Sequence, residues 1–249
     1  MRKEKGRFWT KYNKVQQAEP TEVVSNLDGS LYAVLFNADK GVYSPDIEIA
    51  HKYLIKAGVP NSDIFCLEGQ GETNKKFLTI PATIKSLDSV IDVIRQKANN
   101  NDELLVFVTN HGAIHEGQAY FLTHENIGLL EKDFESMMQD IPVNFSLFYF
   151  SQCHSGGFAE RMGCGRNIGL STSANQENTG SMGGQFYTKN LFKRLLNDDV
   201  SIETAFDKAN SHVAILPYRL NDVYVNPQLR WQNADPSQLY LGSTSPSKK

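Results

Sequence analysis

The tightest constraint on this chain is a pair of apolar runs that each stop abruptly at a residue able to do chemistry. Val106-Phe107-Val108-Thr109 leads into Asn110-His111-Gly112, and Leu147-Phe148-Tyr149-Phe150 leads into Ser151-Gln152-Cys153. Runs with no polar alternation suit strands buried on both faces, as in the parallel sheets of α/β proteins. Parallel neighbours end at the same edge of a sheet, the edge at which such sheets bind ligands. His111 and Cys153 are therefore expected in one crevice, the arrangement of a thiol nucleophile served by an imidazole.

The rest of the chain fits such a sheet. Leu31 to Phe36 is a first buried strand, and Ile47, Ala50, Leu54 and Ile55 give a helical stripe that Gly58 and Pro60 stop. Ile64 to Leu67 is a second strand. Ile84, Leu87, Ile91, Ile94 and Ala98 keep a helical rhythm before the third strand, which delivers His111. A β-prone piece, Ala119 to Leu122, and a helix near Leu130 to Met138 precede the strand that delivers Cys153. Asn167 to Ser173 reads as a fifth strand, followed by helices marked by Leu191, Phe192, Leu195 and Leu196 and by Ile202, Ala205, Phe206 and Ala209, the latter capped by Ser201. Strand-helix alternation of this kind predicts an α/β fold, a mostly parallel sheet covered on both faces.

The 249 residues suit one domain at 29–242, with an amino-terminal arm at 1–28 and a flexible tail at 243–249. With 25 basic and 28 acidic residues, the chain lacks the broad positive field of a nucleic-acid binder. Three cysteines, Cys66, Cys153 and Cys164, without CxxC spacing, argue against a disulfide framework or zinc knuckle and for a reducing compartment. No secretory signal pattern or run of ~18 apolar residues is present, so a cytoplasmic location with no membrane span is expected. The arm is basic with interspersed aromatics. It reads as a segment packed on the domain rather than a membrane-surface helix, because Gly6 interrupts it.

Taken singly, a cysteine ending a strand is an ordinary core thiol and a loop histidine is usually inert. Their joint placement at one predicted edge, each with glycine close behind, favours catalysis. Gly112 lets its backbone N–H approach a bound carbonyl, and the amides of Gly112 and Cys153 are the candidate oxyanion hole. A helix beginning near Gly156 would add free amides beside the sulfur. His154 is a poorer base, since adjacent side chains point apart. Ser155 lacks the leading glycine of a serine-hydrolase elbow. His111, His115 and His124 do not sit on an evident helix and read as solvated rather than metal-binding; no metal or other cofactor is expected.

The segments Thr109-Asn110-His111-Gly112 and Ser151-Gln152-Cys153-His154-Ser155-Gly156-Gly157 resemble the two catalytic motifs of the caspase-like clan of cysteine peptidases. The Cys-His-Ser-Gly run is similar to metacaspases. Asp46 to Ile64, Thr172-Ser173-Ala174-Asn175-Gln176-Glu177 and Gly184-Gln185-Phe186-Tyr187-Thr188 are similar to legumains and their clan. The resemblance covers roughly residues 30 to 215. It implies a caspase-like three-layer α/β/α sandwich with a six-stranded sheet ordered 2-1-3-4-5-6, a Cys153–His111 dyad, a Gly112 and Cys153 oxyanion hole, and substrate pairing along Ser173 and Ala174 as an added strand. The specificity pocket does not carry over. Where legumains place an Arg-His pair and a glutamate, this chain has Ser44-Pro45 and Ser151, so the pocket is expected to be small and polar or built differently, with Ser151 and Asp46 or Glu177 lining it. The expected activity is cysteine-type endopeptidase hydrolysis of a peptide or protein substrate. Transpeptidation and a catalytically silent peptide-binding module are the alternatives, and the polar loop Asn175 to Gly184 is the expected site of internal nicking.

Overall fold

The computed structural model describes residues 13–16, 29–39, 41–71, 77–174, 181–214 and 225–242. The arm other than 13–16, the carboxyl tail and Glu177 lie outside the described residues, as does most of the polar loop.

Eleven strands and six α-helices are described: β1 (Asn13–Gln16), β2 (Leu31–Asn37), α1 (Ser44–Lys56), β3 (Ile64–Glu68), β4 (Thr79–Ile80), α2 (Ile84–Lys97), β5 (Glu103–Thr109), β6 (Gly112–His115), β7 (Gln118–Leu122), β8 (Gly128–Leu130), α3 (Glu131–Met137), β9 (Phe145–Ser151), α4 (Ser155–Met162), β10 (Asn167–Ser171), α5 (Ser181–Asn197), α6 (Ile202–Ala214) and β11 (Gln228–Trp231). The main sheet runs β1-β11-β10-β9-β5-β2-β3-β4. Its middle six strands have the expected 2-1-3-4-5-6 order. β4 and β1 extend it at the two edges, making eight strands where six were expected. Two residues of β4 and four of β1 are too short to carry a periodic signal, and each owes its place to a neighbour's open edge. β11 runs antiparallel to β10 and parallel to β1; the other pairings in the sheet are parallel.

β2, β5 and β9 are buried along their whole length, as apolar runs covered on both faces must be. Alternate side chains feed two cores. Leu35, Phe107, Tyr149 and Leu170 pack under α1, α5 and α6, while Val34, Val106, Phe148 and Phe150 pack under α2, α3 and α4. Each fully buried Leu or Phe contributes about 1.5–3 kcal/mol relative to exposure. The helices start where local chemistry says they should. The Ser86 N–H donates to Thr83 Oγ1 at 3.1 Å, Pro45 lies in the first turn of α1, and the Thr204 N–H donates to Ser201 Oγ at 3.3 Å.

Of the small sheet beyond His111 only the middle strand was expected. There the chain folds into a separate antiparallel sheet, β6-β7-β8, in which β7 is the β-prone piece Ala119 to Leu122, and β6 and β8 are additions. Its hairpin turns through Glu116 and Gly117, both with positive φ, as a two-residue hairpin turn of this hand requires.

Candidate active site

β5 and β9 are adjacent and parallel, with Thr109 paired to Ser151. His111 and Cys153 each lie two residues past that pair, at the carboxyl edge of the sheet. The two loops touch: a Cβ added to Gly112 would overlap the carbonyl oxygen of Cys153, so only glycine fits between them. Cys153 is partly exposed, whereas Cys66 is buried in the core. Burial, with the Glu135 charge nearby, pushes the Cys164 thiol up from its ordinary value.

The histidine is held from several sides. The Asn110 amide donates to the Leu122 carbonyl, and its oxygen accepts the His111 N–H at 2.8 Å, which ties the turn to β7. Nε2 of the His111 ring lies 3.2 Å from Asp39 Oδ2, and Nδ1 lies 3.5 Å from the Tyr43 hydroxyl, whose ring meets the imidazole edge-on. Asp39 is itself positioned. Its N–H donates to Asn37 Oδ1, and its Oδ1 accepts the Gly41 N–H. A carboxylate on Nε2 favours the tautomer with the proton there, which leaves the Nδ1 lone pair towards Tyr43. Burial pushes the Tyr43 hydroxyl up to about 12, and negative charge on Cys153, Asp39 and Asp46 adds to the effect. Tyr43 thus stands within electrostatic reach of the thiol as well as beside the histidine.

α4 begins at Ser155, one residue before the expected start near Gly156, and its first amide is already taken. His154 takes a left-handed conformation, φ 57°, to turn the chain into the helix. The Ser155 N–H then donates to Ser173 Oγ at 3.1 Å, and the two hydroxyls are 3.0 Å apart. Ser155 is fully buried, a poor position for a nucleophile. Ser173 donates its hydroxyl to the Gln152 carbonyl and its N–H to Ser155 Oγ, and its carbonyl accepts from Ser171. Its backbone is therefore already engaged in pinning β10 to the cysteine loop, and Ala174 beside it is half-buried.

Beneath the pair lies a polar layer. Asp46, in the first turn of α1 and 1 % exposed, accepts the Thr109 hydroxyl on Oδ2 at 2.8 Å. Ser151 accepts from Thr188 at 3.4 Å, and Thr188 bonds the Tyr149 hydroxyl at 2.7 Å. On the other side of His111 opens a cleft of about 550 Å³ lined by Asp39, Gln70, Asn110, Thr123, His124 and Asn126 among others. His115 is exposed on β6, and among the described residues no three potential ligands converge on a metal position. Among the described residues, too, no helix is long and apolar enough to cross a membrane.

Asp39 and Tyr43 escape a reading of the sequence because both lie in a loop with no periodicity. The available signal is positional: they follow β2, and β2 adjoins the strand that carries His111.

A helix-covered, mostly parallel sheet with a cysteine and a histidine loop meeting at its carboxyl edge defines a caspase-like architecture. The Peptidase C13 family profile matches residues 69–216, more than half of the chain, and the chain belongs to that family of legumain-like cysteine peptidases. Among solved structures, protein GSU0716 from Geobacter sulfurreducens is similar, with a TM-score of 0.59 and 14 % identity over 87 % of this chain and 98 % of that one, a likeness of fold. No sequence among curated proteins matches the chain.

Proposed function

We propose that the chain is a cysteine endopeptidase in which Cys153 Sγ attacks the peptide carbonyl and His111 handles the protons. The observation that carries this reading is the contact between Gly112 and the Cys153 carbonyl, which closes the histidine and cysteine loops onto one another. The N–H groups of Gly112 and Cys153 stabilise the oxyanion of the tetrahedral intermediate. His111 protonates the leaving amine, the C–N bond breaks, and the acyl group stays on sulfur. The imidazole then takes a proton from water, whose oxygen displaces the thiolate and frees the acid. Asp39 holds the ring and its tautomer through Nε2, leaving Nδ1 to move the proton. The substrate backbone pairs from Ala174, and the cleft beyond His111 receives the chain that follows the cut bond.

That same cleft supports one further reading, transpeptidation: an amine seated there would take the acyl group in place of water. The ratio of ligated to hydrolysed product distinguishes the two.

The test is cleavage of a diverse peptide mixture, read by mass spectrometry, by the parent protein and by Cys153→Ala and His111→Ala. Cleavage by the parent that vanishes in both variants is the expected result. Peptide binding that survives Cys153→Ala, with no turnover by the parent, would replace this reading with a binding module.

A further inference from the structure

Resting on the peptidase reading, we infer that Asp46 forms the floor of the primary specificity pocket and selects a long cationic side chain, lysine or arginine, at the cleaved bond. The core itself breaks its pattern here. Along β5 and β9 the side chains facing α1 and α5 are apolar, Leu105 and Phe107, then Leu147, until the final turn of the pattern, where they become Thr109 and Ser151. Around that pair gather Asp46, Thr188 and the Tyr149 hydroxyl, every residue of the set at most 4 % exposed. A polar layer in an otherwise apolar core costs stability unless each group is satisfied. Here one is not. Asp46 Oδ1 has no hydrogen-bond partner among the described residues, while Oδ2 holds only the Thr109 hydroxyl.

No basic side chain among the described residues is paired to this carboxylate. Burial accordingly pushes Asp46 up to about 7, with the Thr109 bond opposing. Two features favour restoring its charge: its place in the first turn of α1, and the arrival of a cation from substrate. The other groups around it are hydroxyls, which accept from an ammonium or guanidinium as readily as from one another.

Depth decides the length of the side chain. Thr109 and Ser151 precede His111 and Cys153 by two residues, about 6–7 Å at ~3.3 Å per residue. Three bonds from Cα, an asparagine amide reaches roughly 4 Å, whereas five bonds carry a lysine nitrogen about 6 Å and arginine further. A substrate carbon seated over Cys153 can therefore meet Asp46 through lysine or arginine, and an asparagine stops short of it.

The test is a peptide library that varies only the residue before the cut, with kcat/KM read for the parent, Cys153→Ala, Asp46→Asn and, as a control at a distant buried carboxylate, Glu103→Gln. The expected parent profile favours lysine and arginine at least tenfold over asparagine and over small neutral residues. Asp46→Asn should lose that preference, with kcat/KM for lysine and arginine substrates falling at least tenfold and neutral substrates changed by less than a few-fold, and Glu103→Gln should leave the profile unchanged. Cys153-dependent cleavage after asparagine or small residues overturns this inference and leaves the peptidase reading standing; the parent's profile alone is decisive if Asp46→Asn fails to fold. Retention of the lysine and arginine preference by folded Asp46→Asn overturns it equally. No cleavage of any library member overturns both.

Discussion

Two buried carboxylates sit at opposite edges of the same sheet. Asp46 lies at the carboxyl edge and Glu103 starts β5 at the amino edge; they are 1 % and 3 % exposed. Each accepts one hydrogen bond of 2.8 Å, Asp46 from the Thr109 hydroxyl and Glu103 from the Gly242 N–H. Each keeps one oxygen without a partner among the described residues, and burial pushes each up to about 7. Perturbation alone therefore does not mark a site. Their surroundings separate them. Glu103 clamps the chain near its carboxyl end, beside Asp102, which fastens Ser30 and Asn99 through backbone N–H groups. Asp46 belongs to a layer of hydroxyls two residues beneath a cysteine and a histidine. One edge closes the fold; the other, on the inference above, receives a substrate side chain.

On that division, substitutions at the carboxyl edge change turnover, and those at the amino edge change stability. The largest expected effect is loss of turnover to background in Cys153→Ala, with a loss of at least ~1000-fold in His111→Ala, while melting temperatures stay near that of the parent. Unimpaired hydrolysis by either variant would break the comparison outright. Gly112→Ala comes next. Its methyl group must move the Cys153 carbonyl, and kcat should fall about 100-fold through a displaced oxyanion hole. Crystallography or an active-site inhibitor titration would show whether the loops had parted. Asp39→Asn should cost roughly tenfold in kcat, with an altered pH profile, because the ring loses its charged partner on Nε2. A loss confined to KM would refute a positioning role.

The smallest effect belongs to the amino edge and has a definite sign. The Glu103 carboxyl titrates higher folded than unfolded, so its contribution to stability is fully present below about 4.5 and is lost as pH rises through about 7. Glu103→Gln keeps an acceptor for Gly242 and removes the charge. It should therefore stabilise by about 1–3 kcal/mol at pH 8 relative to its effect at pH 5, with unchanged turnover. Urea melts at the two pH values check it. Equal effects at both would mean that Glu103 is not buried as an ionisable group.

Much of the fold is legible in the chain because it rests on local period. Five of the six middle strands follow from apolar runs such as Leu31–Phe36 and Leu104–Val108, and the helices between them follow from stripes such as Leu87, Ile91 and Ile94, whereas the sixth strand, β11, was expected only from the family resemblance. The same periodicity puts His111 and Cys153 at one edge, since residues that end parallel neighbours must share it. It misses β1 and β4, whose few residues pair only because a strand edge is open beside them. In the small β6-β7-β8 sheet it finds only β7 and misses β6, four residues with no buried side chain, and the three-residue β8. Ser173 shows a subtler limit. Its position beside the cysteine loop is legible, but its engagement with Ser155, Gln152 and Ser171 depends on a packing of β10 against α4 that no local pattern encodes.

By itself, the sequence determined the long buried strands and the helices between them, which faces are apolar, and that a cysteine and a histidine end two buried strands, because burial on both faces and helical periodicity are written residue by residue. Only the tertiary structure decided what stands around those two residues. Asp39 on the imidazole, Tyr43 edge-on against it, and Asp46 under Thr109 come from segments 60 or more residues away from their partners, brought into place by the order of strands in the sheet. Such groups exert their influence through distance and desolvation, and both arise only when the chain closes on itself.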